Sequence, residues 1–269
     1  MGLAHPGHVR EQYQDASRLE ARVVLYERFA REEEPWYRWL LGQLAPESGE
    51  RILDVGAGSG GIWRENHEAL PSGVRVALLD RSPAMLSDAR ARGTQADLAV
   101  GGHASALPFR DDRFDALLAA HMLYHVRDRA AALRELRRVL RPGGRLCVAT
   151  NDWTHLIELR EFASRFGLGG ALFAPGRSAD EFDLESAAAE IHAAFGPVRV
   201  ARRRVQLEIT EAAPLVDYVR SVLPASGSGE EADLFESELT GFGREVERYI
   251  ERSGSFETTA SAGVVQARA

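Results

Sequence analysis

Arg51-Ile-Leu-Asp-Val-Gly-Ala-Gly-Ser-Gly60 runs from an apolar strand straight into a glycine-rich turn, and a helical stretch follows from Gly61. Glycines there remove the side chains that would hold a ligand off, and amides at a helix start point toward a polar group. Around this motif, short apolar runs alternate with helical stretches, the pattern of a parallel sheet covered on both faces. Strands are expected at Arg51–Val55, Val74–Asp80, Gln95–Val100, Phe114–Ala119 and Arg145–Asn151. Between the last two, Leu133, Leu136, Val139 and Leu140 make the inward face of a helix, with Arg134, Arg137 and Arg138 outward and Pro142-Gly143-Gly144 ending it. Upstream, aromatic-rich helices fill Tyr13–Leu44, with Leu19, Val23, Tyr26 and Ala30 on one face and Trp36, Trp39, Leu40 and Leu44 on the next. Downstream come a helix from Trp153 to Phe166, a glycine- and proline-punctuated insertion to Arg177, and a helix over Glu185–Phe195. A strand over Val198–Ile209, a helix over Pro214–Leu223, a Ser/Gly linker at Ala225–Glu230, a helix over Leu234–Ser253 and a strand over Phe256–Ala267 complete the chain. The simplest organisation is a single domain over 1–269: a helical cap (1–48), a cofactor-binding core (49–151), and a helical insertion with C-terminal strands (152–269).

Composition narrows the chemistry. The 269 residues carry a net charge of −7, and all 33 cationic side chains are arginine. Without lysine there is no Schiff-base nucleophile, no pyridoxal-phosphate anchor and no P-loop lysine. The single cysteine, Cys147, can form neither an internal disulfide nor a thiolate zinc cluster. The longest apolar run, Ala116–Ala120, is far short of the roughly 18 residues of a membrane span. Met1–Arg10 lacks the apolar segment of a secretory signal, so the cytoplasm is the expected compartment. An acidic chain is a poor general binder of nucleic acid. The run Arg202-Arg203-Arg204 is best read as the solvated face of a strand rather than a binding patch.

The glycines leave two ligands open. Gly56, Gly58 and Gly61 satisfy the dinucleotide fingerprint, while Gly56, Gly58 and Gly60 satisfy the looser loop that holds S-adenosylmethionine. Asp80, 19 residues past Gly61, can accept both hydroxyls of an adenosine ribose, which either ligand has. Asp54 discriminates: two residues before the first glycine, it opposes a pyrophosphate and favours a methionine ammonium or sulfonium. The alternative for Asp54 is a carboxylate that merely caps the loop amides.

At these residues the chain resembles the class I S-adenosylmethionine-dependent methyltransferases, in particular the small-molecule methyltransferase 11 type. Leu53-Asp-Val-Gly-Ala-Gly-Ser-Gly60 resembles their first motif, and Leu79-Asp-Arg-Ser-Pro-Ala-Met-Leu86 their acidic second strand and helix start. Ala106-Leu-Pro-Phe109 with Phe114-Asp-Ala116, and Leu140-Arg-Pro-Gly-Gly144, resemble the later segments, so the likeness spans about Arg51 to Thr150. It implies a Rossmann-like, doubly wound α/β fold with a seven-stranded, mostly parallel sheet whose last strand is antiparallel beside the fifth. It also implies S-adenosyl-L-methionine as cofactor, held by Asp54, Gly56, Ala57, Gly58, Ser59, Gly60, Asp80, Arg81, Met85, His103, Ala104, Ser105, Ala120 and His121. The family usually has an acidic residue or asparagine after the third strand to meet the adenine. This chain departs there, with Gly102-His103-Ala104-Ser105.

In open α/β sheets the chemistry lies beyond the carboxyl ends of the strands. Methyl transfer is an in-line displacement needing alignment and, for a hydroxyl or ammonium acceptor, removal of a proton. His121 follows the fourth strand directly and is the first candidate base, with Tyr124, His125 and His155 behind it. Each has a plainer reading: His121 as a packing neighbour of the cofactor, His125 as a loop anchor, Tyr124 as a core aromatic. Metal-assisted methylation needs clustered oxygen ligands at both strand ends; Asn151-Asp152 could supply some but Ala120-His121 offers no carboxylate, and the Asn/Asp-Pro-Pro-aromatic tetrad of base methylation is missing. The acceptor expected is therefore a small molecule taking the methyl on O, N or C, and the arginine-for-lysine bias of a GC-rich genome suggests secondary metabolism. Tyr13, Tyr26, Phe29, Trp36 and Trp39 are lid candidates, though their helical spacing equally suits core packing. The competing readings are a nicotinamide-dependent oxidoreductase and a non-catalytic S-adenosylmethionine-binding regulator. The oligomeric state is not legible.

Overall fold

The computed structural model describes residues 16–31, 34–168, 182–222 and 230–269. The expected insertion toward Arg177 and linker at Ala225–Glu230 fall largely outside these residues, as does Tyr13. In chain order the helices are α1 (Ala16–Phe29), α2 (Trp36–Leu44), α3 (Gly61–Glu65), α4 (Pro83–Ala91), α5 (Arg129–Val139), α6 (Ile157–Ser164), α7 (Leu184–Phe195), α8 (Ala212–Val222) and α9 (Glu230–Ser253). The strands are β1 (Arg51–Val55), β2 (Arg75–Asp80), β3 (Leu98–Gly101), β4 (Phe114–Ala120), β5 (Leu140–Asn151), β6 (Arg199–Ile209) and β7 (Phe256–Arg268).

They form one seven-stranded sheet in the order β3-β2-β1-β4-β5-β7-β6. The first five strands pair in parallel, and β7 lies antiparallel to β5 from Arg145↔Arg268 to Asn151↔Ala262. This is the α/β fold and strand arrangement expected from the sequence. The order reverses between β1 and β4, and such switch points are where open α/β sheets take ligands.

The chain divides into two compact units. The first comprises Glu34–Trp153, Phe182–Arg203 and Ala262–Ala269. Its strands bury both faces, so consecutive residues feed different cores. Leu53, Val55, Leu117, Ala119 and Val148 pack with Leu133, Leu136 and Val139 of α5 and with Leu184, Ala187 and Ile191 of α7. Ile52, Leu78, Ala116, Leu118 and Cys147 pack on the other face with Leu40, Leu41 and Leu44 of α2 and with Trp63. Burial pushes the Cys147 thiol up to about 12, leaving it a small apolar residue at ordinary pH.

The second unit comprises Thr154–Glu181, Arg204–Ser261 and the chain up to Glu33. Its core joins Leu25 and Phe29 of α1 with Leu159 and Phe162 of α6, Leu215 and Val219 of α8, Leu239, Phe242 and Val246 of α9, and Phe256. The buried face of α1 is centred on Leu25 and Phe29, whereas the predicted Val23, Tyr26 and Ala30 are half-buried beside it.

Local chemistry moves several boundaries. β3 begins at Leu98 rather than Gln95 because Asp97 is consumed before the strand: its carboxylate accepts the Val76 N–H at 2.8 Å and its own N–H donates to Val76 at 2.8 Å. α5 stops at Val139, before Pro142, and Leu140 is already extended. Arg138 on α5 does not simply face solvent. It donates to the Leu107 and Phe109 carbonyls and binds Glu135 and Asp111, pinning the loop before β4. In the arginine run, Arg202 and Arg204 are exposed and Arg203 half-buried, the alternation of a strand with one solvated face.

Candidate active site

The glycine loop at the end of β1 is shaped by its neighbours. Gly56 adopts φ +71°, and a Cβ there would lie 2.6 Å from Met122 Cβ, so both backbone handedness and space demand glycine. Gly58, at φ +55°, has nothing within 4 Å of a built Cβ and opens onto free space. Gly60, also left-handed, is crowded by Thr94, whose hydroxyl donates to the Ser59 carbonyl at 3.1 Å. The Gly56 and Ala57 amides donate to the Leu79 carbonyl at 2.7 and 3.1 Å, tying the loop to β2.

Two carboxylates stand behind this loop. Asp80 accepts the Gly58 N–H at 2.8 Å on one oxygen and the Ser82 N–H at 2.8 Å on the other. The loop-capping alternative weighed for Asp54 therefore belongs to Asp80. Asp54, only 3% exposed, accepts instead from the Trp63 indole N–H at 2.8 Å, and Trp63 is wholly buried. Burial raises the Asp54 carboxyl to about 7; the Trp63 hydrogen bond opposes this and the Asp80 charge adds to it. No ion pair to a basic side chain reaches Asp54 or Asp80 among the described residues.

The other expected cofactor residues lie as follows. Arg81 is exposed, while Met85 is buried in α4 with its N–H on the Ser82 hydroxyl at 3.4 Å. Ser82 is thus the N-cap of α4, with Pro83 at its first turn. His103 and Ser105 are exposed and Ala104 is buried in the core beside Leu79, so His103 keeps a polar ring at the surface after β3. Ala57, Ser59 and Ala120 are half-buried.

After β4 the chain turns sharply. His121 has φ +52°, a left-handed conformation that is strained for a residue other than glycine. Its N–H donates to the Ala149 carbonyl at 2.9 Å, and its ring lies 5.4 Å from the Trp36 ring at 49°. Burial lowers the imidazole to about 4, with no charged group contributing, so the ring is neutral at ordinary pH. Met122 then packs against Gly56, and a 3-10 turn carries Tyr124 and His125, whose rings meet edge to face at 4.3 Å. After β5, buried Asp152 lies 3.7 Å from the Arg202 guanidinium.

His155 falls in the second unit, where both ring nitrogens are engaged. Nδ1 lies 3.0 Å from the Ser261 carbonyl and 3.2 Å from its N–H, and Nε2 lies 3.0 Å from the Tyr26 hydroxyl. Among the described residues no cluster of histidine, cysteine or acidic side chains could hold a metal ion. Nor is any helix among them long and apolar enough to cross a membrane.

Sequence reasoning missed Trp63, the donor to Asp54, and the Trp36–His121 contact. The first had a local signal, an indole in the turn of helix directly after the glycine loop. The second joins residues 85 positions apart and had none.

The donor set suits a cation bearing a ribose. Two adjacent carboxylates, one buried without a basic partner, would repel a diphosphate but stabilise an ammonium or sulfonium, and Gly58 leaves room for close approach. Residues 53–148 match the family described as "Methyltransferase domain". The ubiquinone/menaquinone biosynthesis C-methyltransferase UbiE of Paracoccus denitrificans is 44% identical over 118 residues, covering 42% of this chain and 47% of that protein. The chain thus spans about half the length of the curated relatives it matches. Among solved structures, the YcgJ protein of Bacillus subtilis superposes with TM-score 0.56 at 20% identity over 86% of this chain and 97% of that one. The [4+2]-cyclase SpnF gives 0.59 at 17% over 99% and 98%, so at this identity the likeness is one of fold. The glycine loop, the acidic strand ends and the first five strands lie within or directly beside the segment, residues 53–148, that matches the methyltransferase domain family, and the solved structures it resembles share its fold.

Proposed function

We propose that the chain is a cytoplasmic enzyme that moves a methyl group from S-adenosylmethionine to an O, N or C atom of a small organic acceptor. The observation that carries this reading is the pair Asp54 and Asp80 behind the glycine loop, with no basic side chain to neutralise them among the described residues. When bound, the cofactor supplies an electrophilic methyl on a positively charged sulfur.

The chain's own part is to bind, orient and take a proton. Asp80 is assigned to the ribose hydroxyls, exchanging its grip on Gly58 and Ser82 for charge-assisted bonds. Asp54 is assigned to the cationic end, whose charge would draw its carboxyl down from about 7 into the ionised form. Gly56 to Gly60 offer their backbone, Met85 and Ala104 shape the apolar floor, and Arg81, His103 and Ser105 line the rim toward the adenine. Beyond β4, Ala120 closes the floor and His121 is the base: its neutral imidazole accepts a proton from a hydroxyl or ammonium acceptor. Tyr124 and His125 support the turn that carries it. His155, with both nitrogens satisfied, is a weaker base candidate.

The relatives' printed names include quinone C-methyltransferases, which places a flat, ring-bearing acceptor among the first to try. The test is incubation with methyl-labelled S-adenosylmethionine and a panel of small metabolites, with products read by mass spectrometry, beside calorimetric titrations of S-adenosylmethionine and NADH. A labelled product and binding of the first ligand alone are expected. NADH seated on the loop, with no S-adenosylmethionine binding, would overturn the assignment.

A further inference from the structure

His121 and His155 are held in opposite ways. The His155 ring is fixed through both nitrogens. No hydrogen bond holds the His121 imidazole among the described residues, and burial is the sole cause of its lowered proton affinity. A group that must accept a proton from a substrate needs a free nitrogen, but it also needs a fixed ring. Catalytic imidazoles commonly gain that orientation from a hydrogen bond on the second nitrogen. Here the described contacts leave one ring to do it.

That ring is Trp36, at the first position of α2, with centroids 5.4 Å apart and a 49° tilt. Trp36 is itself braced. Trp39, one turn on, lies 5.1 Å away at 31°, and the Arg203 guanidinium sits 5.6 Å over the Trp39 ring. Arg203 also donates to the Glu34 and Pro35 carbonyls, the two residues directly before Trp36. Tyr37, the next residue, lies close against the start of α3: a Cβ on Gly61 would lie 2.8 Å from its hydroxyl oxygen. The start of α2 is therefore held by Arg203 of β6 and packs against Gly61 at the start of α3. A run of four groups in contact, Arg203, Trp39, Trp36 and His121, ends on the strained residue that leaves β4.

We infer that Trp36 is a positioning residue for His121, its indole fixing the imidazole plane by tilted ring-to-ring packing in place of a hydrogen bond. The inference rests on the reading of His121 as the base. Trp36 and Trp39 are half-buried: each packs against the core around Leu40 and Leu44 on one side, and their rings also meet His121 and the Arg203 guanidinium.

The test uses the free full-length protein and the imidazole carbon and proton resonances of His121, identified by their loss in His121→Ala. In the wild type, nuclear Overhauser contacts between the Trp36 and His121 rings are expected, with titration near pH 4. In Trp36→Ala the titration should move upward by more than one unit toward the ordinary 6.5, and the ring signals should broaden. Trp36→Phe should restore the wild-type midpoint to within a few tenths, and Trp39→Ala should give an intermediate shift. An unchanged His121 titration in folded Trp36→Ala would overturn the inference. If that variant does not fold, missing ring contacts in the wild type, or a Trp36→Phe midpoint as high as 6.5, would do so. These readouts need no acceptor, so they separate from failure of the base assignment, which would show as full methyl transfer in His121→Ala.

Discussion

Asp54 and Asp115 are both aspartates buried in the same parallel pair of strands, 3% and 5% exposed, at opposite ends of β1 and β4. Asp115, at the amino end, accepts the Arg51 N–H at 2.6 Å and pairs with the Arg141 guanidinium at 2.6 Å and that of Arg51 at 3.6 Å. Asp54, toward the carboxyl end, has one indole N–H and the repulsion of Asp80. A buried charge is normally paired, as Asp115 is. Asp54 is not paired with a basic side chain among the described residues, and its carboxyl is accordingly raised to about 7. The contrast separates a carboxylate that ties strand ends together from one that, in the function proposed above, is assigned to the cofactor's positive charge.

The widest break in that contrast is Asp54→Asn, which keeps an oxygen for Trp63 while deleting the charge. The folded carboxyl near 7 lies above its ordinary 3.8, so folding favours its protonated form. The penalty is absent below about pH 4, grows as pH rises between the two values, and is complete above 7. Three units correspond to about 4 kcal/mol as an upper figure. Denaturant melts at pH 8 should show Asp54→Asn gaining a large part of that, with little change at pH 4, while S-adenosylmethionine affinity falls. Equal stability at both pH values would show that Asp54 is not strained by its charge. Next comes Asp115→Ala, expected to lose about 2–3 kcal/mol of stability by stranding the Arg51 N–H and a partly buried guanidinium, with calorimetric cofactor affinity in the folded variant unchanged. A drop in affinity without loss of stability would erase the distinction between the two ends.

Asp80→Ala is expected to cost about 1–3 kcal/mol of cofactor binding through lost charge-assisted hydrogen bonds, read by calorimetry. An unaltered dissociation constant would remove the ribose assignment. The smallest effect is that of Trp63→Phe, which deletes the indole donor to Asp54. Its carboxyl should titrate higher by roughly a unit, visible in carbon-detected NMR, at a cost of about 1 kcal/mol in stability. No movement of that titration would mean the indole bond contributes nothing to the site.

Much of this architecture was legible because it is encoded locally. Ile52 to Val55, the glycines and the Ser82-Pro83 helix start carry their own instructions, and the seven strands with the last antiparallel beside the fifth followed from family resemblance. What escaped was set by side chains acting across distance. Asp97 looks like strand sequence until Val76 claims its carboxylate. Arg138 reads as solvated until the Leu107 and Phe109 carbonyls are brought beneath it. Asp54 and Asp80 were both marked as site residues, but which of them caps the loop depended on Trp63, an indole whose place just after the loop was a signal left unused. His121 was placed by its position after β4, whereas the ring it packs against belongs to a helix on the far side of β1 in the chain.

Cys147 offers a use unrelated to chemistry at the site. It is the lone sulfhydryl in the chain, buried in β5 between β4 and β7, with its thiol held near 12. A thiol reagent can meet it only when the middle of the sheet comes apart, so the labelling rate is a native clock for opening of that sheet. Slower labelling upon addition of a ligand would then report binding for any candidate molecule, with no need to know the reaction.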